Sequence, residues 1–371
     1  MKLINLTFKR FPADTADAIY VRELSRAFSN ILGGNFLLIV GKDRSDELSD
    51  IPHHNLRLQR FNRFRPPYYF FWIPFFVISK RNWGKNVFFF SNDYFLLTAL
   101  IIWKKIFWFK YRVCADWHMF SGDWKDEFIA KYADFHVTTT GHLRNQLIEK
   151  LKISTKKIKT VYGGVSPKYF EQNKDKQSIR SNLNLSENDI LIGYVGFFKS
   201  IGFEKGLKTM IESLNNISTK NVKMAFVGGK EEEIDFYKNY AEELGVIDRC
   251  VFIGRVDPSL VLDYQKAMDI LIIPYPDEPH FRDFGFPMKT YEYMASGVPI
   301  IYSGLPIIAE VLEEYGFAFN PGDPRSLAEV IEWIATNQKE AEYRALKAME
   351  KSKMLTWNDK AQEIINFIDN E

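Results

Sequence analysis

Short runs of apolar and β-branched residues alternate along the chain with longer stretches whose apolar positions recur every three or four residues. KLINLTF (2–8) is followed by a helical period near 15–31. FLLIV (36–40), NVFFFS (86–91), YRVCA (111–115) and FHVTTT (135–140) come next, with helix-like sequence between them. Strands alternating with helices predict βαβ units and a parallel sheet. The stretch VYGGVSPKYFEQNKDKQS, from 161 to 178, interrupts this rhythm with glycine, proline and charge, and reads as a linker between domains. A second series then begins with ILIGYVG (190–196) and continues through KMAFVGG, RCVFIG, DILIIPY and VPIIYS, each trailed by a helical period. The pattern predicts an α/β protein of two doubly wound, Rossmann-like domains, 1–170 and 171–355. The amphipathic tail near 356–371 is expected to be a helix that packs back onto the first domain. No short repeat or low-complexity tract is present. In open parallel sheets ligands bind beyond the carboxyl ends of the strands, and the cleft between two such domains is the expected site.

One segment after the second series of strands carries more than packing. FGFPMKTYEYMASGVP (284–299) reads as a turn, a short helix and a stop: Pro287 suits the first helical position, and Gly297 with Pro299 ends the helix. At 100° per residue, Met288, Tyr291, Met294 and Ala295 fall on one face, expected to pack. Lys289, Glu292 and Ser296 fall on the other, expected to be free for chemistry. Amides at a helix start point outward unpaired and, with the helix dipole, attract phosphate. Glu292, one turn later, would repel phosphate but could accept hydrogen bonds from two neighbouring hydroxyls, as a ribose presents. The segment therefore suits a nucleoside diphosphate.

Composition bounds the class. The 371 residues exceed one typical core, and 46% hydrophobic with 26% charged residues describes a folded globular chain. Cys114 and Cys250 stand far apart with no partner at metal-ligand spacing, which points to neither a disulfide framework nor a zinc site and fits a reducing cytoplasm. No apolar run reaches the roughly 18 to 20 residues of a spanning helix, and the N-terminus reads as a first strand rather than a signal peptide. The net charge of +2 conceals a division: residues 1–170 hold 27 basic and 14 acidic side chains, residues 171–371 hold 22 and 33. That asymmetry points the first half at an anionic partner.

The segments GYVGFFKSIGFEKGLKTMIESL, FIGRVDPSLVLDYQKAMDILIIPY and FGFPMKTYEYMASGVPIIYSG resemble the nucleotide-sugar half of family 4 glycosyltransferases, which have the GT-B fold of two Rossmann-like domains facing a cleft. The first half is similar more loosely, through FPADTADAIYVRELSRAF, ADWH and ADFHVTTTGHLRNQL. The resemblance implies transfer of a sugar from a nucleotide diphosphate donor with retention of configuration and without a required metal or other cofactor; the absence of an Asp-x-Asp pair agrees. It matches Glu292 to the ribose-binding glutamate and Lys205, in GFEKG, to the lysine that neutralises the diphosphate. Gly285, Phe286, Pro287, Lys289 and Arg255 join them on the donor side. Two departures stand out. Phe197 occupies the position of a usual arginine after the preceding strand, with Lys199 as its expected substitute. Phe284 stands eight positions before Glu292, where many members have the first of two paired glutamates.

In the first half, the ADWH segment resembles the one whose histidine reaches the transferred sugar, which makes His118 a catalytic candidate beside Lys205 and Glu292. Asp14, Thr15 and Asp17 occupy the first βα loop, where relatives usually carry glycines, and are expected to face the acceptor. The basic and aromatic run RFNRFRPPYYFFWIPFFVISKRNWGK (60–85), followed by YFLLTALIIWKKIFWFKYR, suits the boundary of an anionic bilayer, where each basic side chain adds about 1 kcal/mol. No recognised nucleic-acid module appears. The sequence thus predicts a cytoplasmic enzyme, peripheral at the inner face of the membrane, that glycosylates a glycan or lipid-linked acceptor of the cell envelope. Two alternatives are a nucleotide-sugar epimerase of the same fold and a non-catalytic nucleotide-sugar-binding subunit.

Overall fold

A computed structural model describes residues 1–12, 15–43, 46–56, 65–171, 175–200 and 202–369. The chain divides into two compact units, Met1–Gly164 with Thr356–Glu371, and Val165–Leu355.

The first unit is built on seven parallel strands: β1 (Lys2–Leu6), β2 (Phe36–Val40), β3 (His53–Asn55), β4 (Val87–Ser91), β5 (Arg112–Trp117), β6 (Phe135–Thr138) and β7 (Ile158–Thr160), in the order β3-β2-β1-β4-β5-β6-β7. The run Phe88–Phe90 is buried throughout because β4 is an inner strand covered on both faces. The helix Ala16–Leu32 starts behind Thr15, whose hydroxyl accepts from the Ala18 amide, and buries Ala18, Tyr20, Val21, Leu24 and Phe28. It packs on the C-terminal helix Trp357–Asp369, which contributes Trp357, Ala361, Ile364 and Ile368 to this core.

The second unit holds six parallel strands: β8 (Ile190–Val195), β9 (Val222–Gly229), β10 (Cys250–Gly254), β11 (Ile270–Ile273), β12 (Ile300–Ser303) and β13 (Phe317–Phe319), in the order β10-β9-β8-β11-β12-β13. That order, 3-2-1-4-5-6 within the unit, is the Rossmann arrangement. The chain leaves β8 toward one side and β11 toward the other, so a crevice opens at their carboxyl ends. The register Gly193↔Leu271 brings the ends of these two strands level.

Periodicity anticipates most of these elements. It passes over β3, β7 and β13, edge strands of three residues each and too short to show a period. The division between units falls after Gly164 rather than at 170. The stretch read as a linker carries two short helices, Lys168–Glu171 and Lys176–Asn182, and is folded into the second unit. Buried Arg180, from the second of these, donates to Ala267 O at 2.7 Å and to Asp269 Oδ2 at 2.6 Å.

Candidate functional site

The crevice of the second unit is shaped by glycines. Gly206 has φ +84°, and a Cβ there would lie 1.7 Å from Pro274 O, so only glycine lets the chain pass so close to the end of β11. That approach draws the adjacent Lys205 into the crevice. Lys205 is 8% exposed, and its ammonium lies 5.9 Å from the centre of the Tyr275 ring. Burial depresses its pKa to about 8, with Glu233 offsetting a little. Glu204 beside it is committed to internal hydrogen bonds: its carboxylate accepts from the Gly206 and Leu207 amides at 2.8 and 2.6 Å and from the Tyr237 hydroxyl at 2.9 Å. This internal anion closes the start of the helix Leu207–Ser213 and fixes the loop that holds Lys205.

The helix Lys289–Ser296 supplies the second cation. Lys289 is buried, its Nζ lies 3.6 Å from the centre of the Tyr194 ring, and no hydrogen-bond acceptor reaches it. It sits under Gly196, where a Cβ would meet Nζ at 2.7 Å. Burial holds its pKa well below that of an ordinary lysine, and repulsion from Lys205 lowers it further against the pull of Glu292. Glu292, one turn on, is half-buried and accepts from Gln265 Nε2 at 3.4 Å. Burial raises its pKa, opposed by Lys289 and by Gln265. Tyr169 lies near enough that the Glu292 charge adds to burial in raising the pKa of its phenol.

Two expectations for this helix need correction. Its polar face is not free: Lys289, Tyr291, Tyr293, Met294, Ala295 and Ser296 are all buried, because the helix packs against both Val261–Ala267 and Gln338–Ser352. The amides of Gly285 and Phe286 are also not available for an anion. They are turned into the preceding turn, donating to His280 O at 2.6 Å and Phe284 O at 2.8 Å. The helix begins two residues later than Pro287, which is itself buried, and at this helix start the amides with no acceptor among the described residues are those of Met288 and Lys289. The anion-seeking amides therefore lie at the start of Lys289 rather than at Gly285.

Of the other donor-side candidates, exposed Lys199 sits in a small antiparallel ribbon, Lys199–Ser200 against Phe203–Glu204, with its ammonium 5.6 Å from the Phe236 ring centre. Arg255, just after β10, lays its guanidinium over Phe197, 4.8 Å from the ring centre, so the phenylalanine standing in place of the usual arginine still carries a cation above its ring, supplied from beyond another strand. His280, which the sequence ranks below His118 for want of a partner at ligand spacing, lies near Lys205. It stacks on Phe203 at 5.4 Å, and burial together with the charge of Lys205 lowers its pKa. Nothing in its spacing signals that proximity.

In the first unit His118 directly follows β5. Its Nε2 stands 3.2 Å from Asp116 Oδ2, and its ring meets Tyr20 edge-on at 4.5 Å. Burial lowers the imidazole pKa, but Asp116, with a smaller contribution from Asp17, more than offsets it, and the net shift is upward. The C-terminal helix brings buried Lys360 to the same cluster, where it donates to Val161 O at 2.5 Å. Of the residues expected on the acceptor side, Asp14 lies outside the described residues. Thr15 is occupied as the helix cap, and Asp17 pairs with Lys9 and accepts from Asn92 Nδ2 at 2.7 Å. Among the described residues no group of three or more histidine, cysteine or acidic side chains could hold a metal ion.

Known proteins bear on this arrangement. Residues 175–351 match the family model described as glycosyl transferases group 1. An uncharacterized glycosyltransferase of Methanocaldococcus jannaschii is 23% identical over 247 residues, 65% of this chain and 61% of its own. A putative teichuronic acid biosynthesis glycosyltransferase of Bacillus subtilis is 24% identical over 195 residues, 53% of this chain and 46% of its own. The match thus spans less than two thirds of either relative. The crystal structure of Anabaena HepE in complex with UDP shares the fold, with a TM-score of 0.77 at 17% identity over 100% of both chains. The same protein has been solved with UDP-glucose. The fold is that of GT-B glycosyltransferases, as the family resemblance implied.

Proposed function

We propose that this chain, which over residues 175–351 belongs to the glycosyl transferases group 1 family, moves a sugar from a nucleoside diphosphate donor to a glycan or lipid-linked acceptor with retention of configuration. The observation that carries the reading is the buried pair Lys205 and Lys289 at the crevice of the second sheet, the latter with no acceptor. A buried ammonium without a partner is unfavourable, and a second cation beside it makes matters worse. A diphosphate relieves both. The free Met288 and Lys289 amides add donors at the same place, and the HepE complexes with UDP and UDP-glucose support a donor of this type.

In the reaction the bond from the anomeric carbon to the diphosphate oxygen breaks, a bond to an acceptor hydroxyl oxygen forms, and the acceptor proton goes to the departing phosphate. Charge grows on the leaving group, where fixed ammonium groups stabilise it most. Glu292 takes the ribose hydroxyls, Arg255 and Lys199 flank the donor, and no metal is required. His118, held toward its protonated form by Asp116, donates to a hydroxyl of the transferred sugar. The teichuronic acid relative supports an acceptor of the cell envelope, reached from the cytoplasm by peripheral contact with an anionic membrane. The charge distribution is assigned to that surface and not to nucleic acid.

A panel of nucleotide sugars incubated with the protein, with and without bacterial membranes, tests the proposal. Nucleoside diphosphate release that needs the membranes, with an α-configured donor giving an α-linked product, is the expected result. An epimerised donor in the absence of membranes, or no donor that raises the melting temperature, overturns it.

A further inference from the structure

The helix Arg65–Ser79 carries Tyr68, Phe71, Phe75 and Ile78 exposed at spacings of three, four and three residues, one stripe along its length; Phe71 is 60% and Phe75 71% exposed. The stripe is not isolated. Phe71 lies 6.5 Å from Trp103 on the neighbouring helix Tyr94–Ile106, tied by Trp103 Nε1 donating to Phe70 O at 2.6 Å, and Trp103 stacks on Phe107 at 5.5 Å. Ile106, Phe107 and Trp108, the last 85% exposed, continue the apolar surface. Lys110 N donates to Trp83 O at 2.8 Å, which places a further exposed indole in the same region.

Water-facing aromatics in this number on one face are more than scattered surface residues. Their surroundings name the partner. Exposed Lys80, Arg81, Lys85, Lys105 and Lys110 adjoin the patch along the chain, and between Asp50 and Asp116 the one acidic residue is Asp93. Asp93 is occupied in capping the Tyr94–Ile106 helix. Aromatic side chains flanked by cations, with nearby Asp134 already paired to Lys104 at 2.6 Å, complement an anionic bilayer: the rings enter the headgroup region while lysine and arginine stay at the phosphates. No helix among the described residues is long and apolar enough to cross a membrane. A groove of about 720 Å³ beside the stripe, with Phe75 and Ile78 in its wall and Lys2 and Lys80 among its lining, extends the same chemistry toward β3. Residues 60–64 of the basic and aromatic run lie outside the described residues.

We infer that the face formed by the Arg65–Ser79 helix, Trp83 and Ile106–Trp108 is a docking surface for an anionic lipid bilayer. This sharpens the membrane contact of the proposed function, yet it is tested without donor or acceptor, so the two stand or fall separately.

The experiment is co-sedimentation with vesicles of phosphatidylcholine alone and of phosphatidylcholine with phosphatidylglycerol. The protein is expected to bind the anionic vesicles at least about tenfold more tightly, and added salt weakens that binding. Phe75→Ser with Trp108→Asn, both at highly exposed positions, is expected to lower the affinity by about tenfold or more while leaving the melting temperature unchanged. Lys80→Ala with Lys85→Ala is expected to lower it by about fivefold for each cation removed, the equivalent of about 1 kcal/mol. Equal partitioning onto both kinds of vesicle, or wild-type binding by the aromatic double variant, overturns the inference. So does a dimer in sedimentation that the aromatic double variant dissolves, or binding of single-stranded RNA in place of vesicles.

Discussion

Lys289 Nζ lies 3.6 Å from the centre of the Tyr194 ring, buried and without a hydrogen-bond acceptor. The ring face gives some attraction to a cation, but less than water gives it. Charging Lys289 in the free protein is therefore costly, and a bound anion would compensate that cost.

Lys289→Met keeps the volume and removes the charge. It is expected to raise the stability of the free protein by about 1 kcal/mol or more and to weaken nucleoside diphosphate binding by about tenfold to a hundredfold, the value of a charge-assisted hydrogen bond. Thermal unfolding and calorimetry read the two effects. A purely structural lysine would lose stability on substitution, so the opposite signs are the diagnostic.

Lys205 makes binding depend on pH. Its pKa in the free protein is lowered to about 8 by burial, and an adjacent diphosphate raises it again. The complex thus binds more protons than the free protein above pH 8. Affinity is full below that value and falls as pH rises through it, by up to about tenfold per unit. Calorimetric titrations from pH 7 to 9.5 are expected to show a steeper decline in the wild type than in Lys205→Met, where Lys289 alone remains to respond. The same depressed pKa makes Lys205 favour the unfolded chain below about pH 8, a penalty that diminishes between there and the ordinary lysine value.

Glu292 is tested through the ligand. If it accepts from both ribose hydroxyls, the wild type prefers a ribonucleoside diphosphate over its 2′-deoxy analogue by about tenfold or more, because the analogue leaves a half-buried carboxylate short of one partner. Glu292→Gln is expected to bind both forms weakly and nearly alike. Undiminished preference in the variant would remove the ribose role.

The sheets were legible because their inner strands are continuous apolar runs and the helices between them keep a 3.6-residue period, and the donor segment because Pro287, Gly297 and Pro299 bracket it. What escaped was tertiary. A period assigns one buried face to the Lys289–Ser296 helix, yet Gln338–Ser352 covers another: a Cβ on Gly297 would touch Met349 Sδ at 3.2 Å. The free amides moved from Gly285 to Met288 because the His280 carbonyl, five residues earlier, captures the Gly285 amide, a bond no spacing rule anticipates. Resemblance assigned Lys205 to the diphosphate, but its burial follows from the Gly206–Pro274 approach, which no period shows. Lys360 sits in a tail expected to pack on the first domain, but nothing in its pattern says that the ammonium ends beside His118.

Lys360 gives the last prediction, and it concerns His118. Four charged or polar groups surround that imidazole: Asp116 at 3.2 Å, Asp17, Lys360 and the edge-on Tyr20 ring. Burial, the largest single effect, and Lys360 lower its pKa; the charge and hydrogen bond of Asp116, with Asp17, together raise it more, and the net shift is upward. Removing Lys360 takes away a cation that opposes protonation, so Lys360→Met is expected to move the His118 titration upward. Asp116→Asn removes the main attraction and leaves burial, so it is expected to move the titration below the ordinary histidine value of about 6.5. With six histidines in the chain, imidazole resonances followed by NMR against pH resolve both shifts without any substrate. A proton donor needs its proton at neutral pH, so Asp116→Asn should also lose turnover at pH 7 and recover part of it at pH 6, whereas Lys360→Met should hold its activity to higher pH than the wild type. Shifts of the same sign in both variants would mean that the cluster acts on His118 through packing and not through charge.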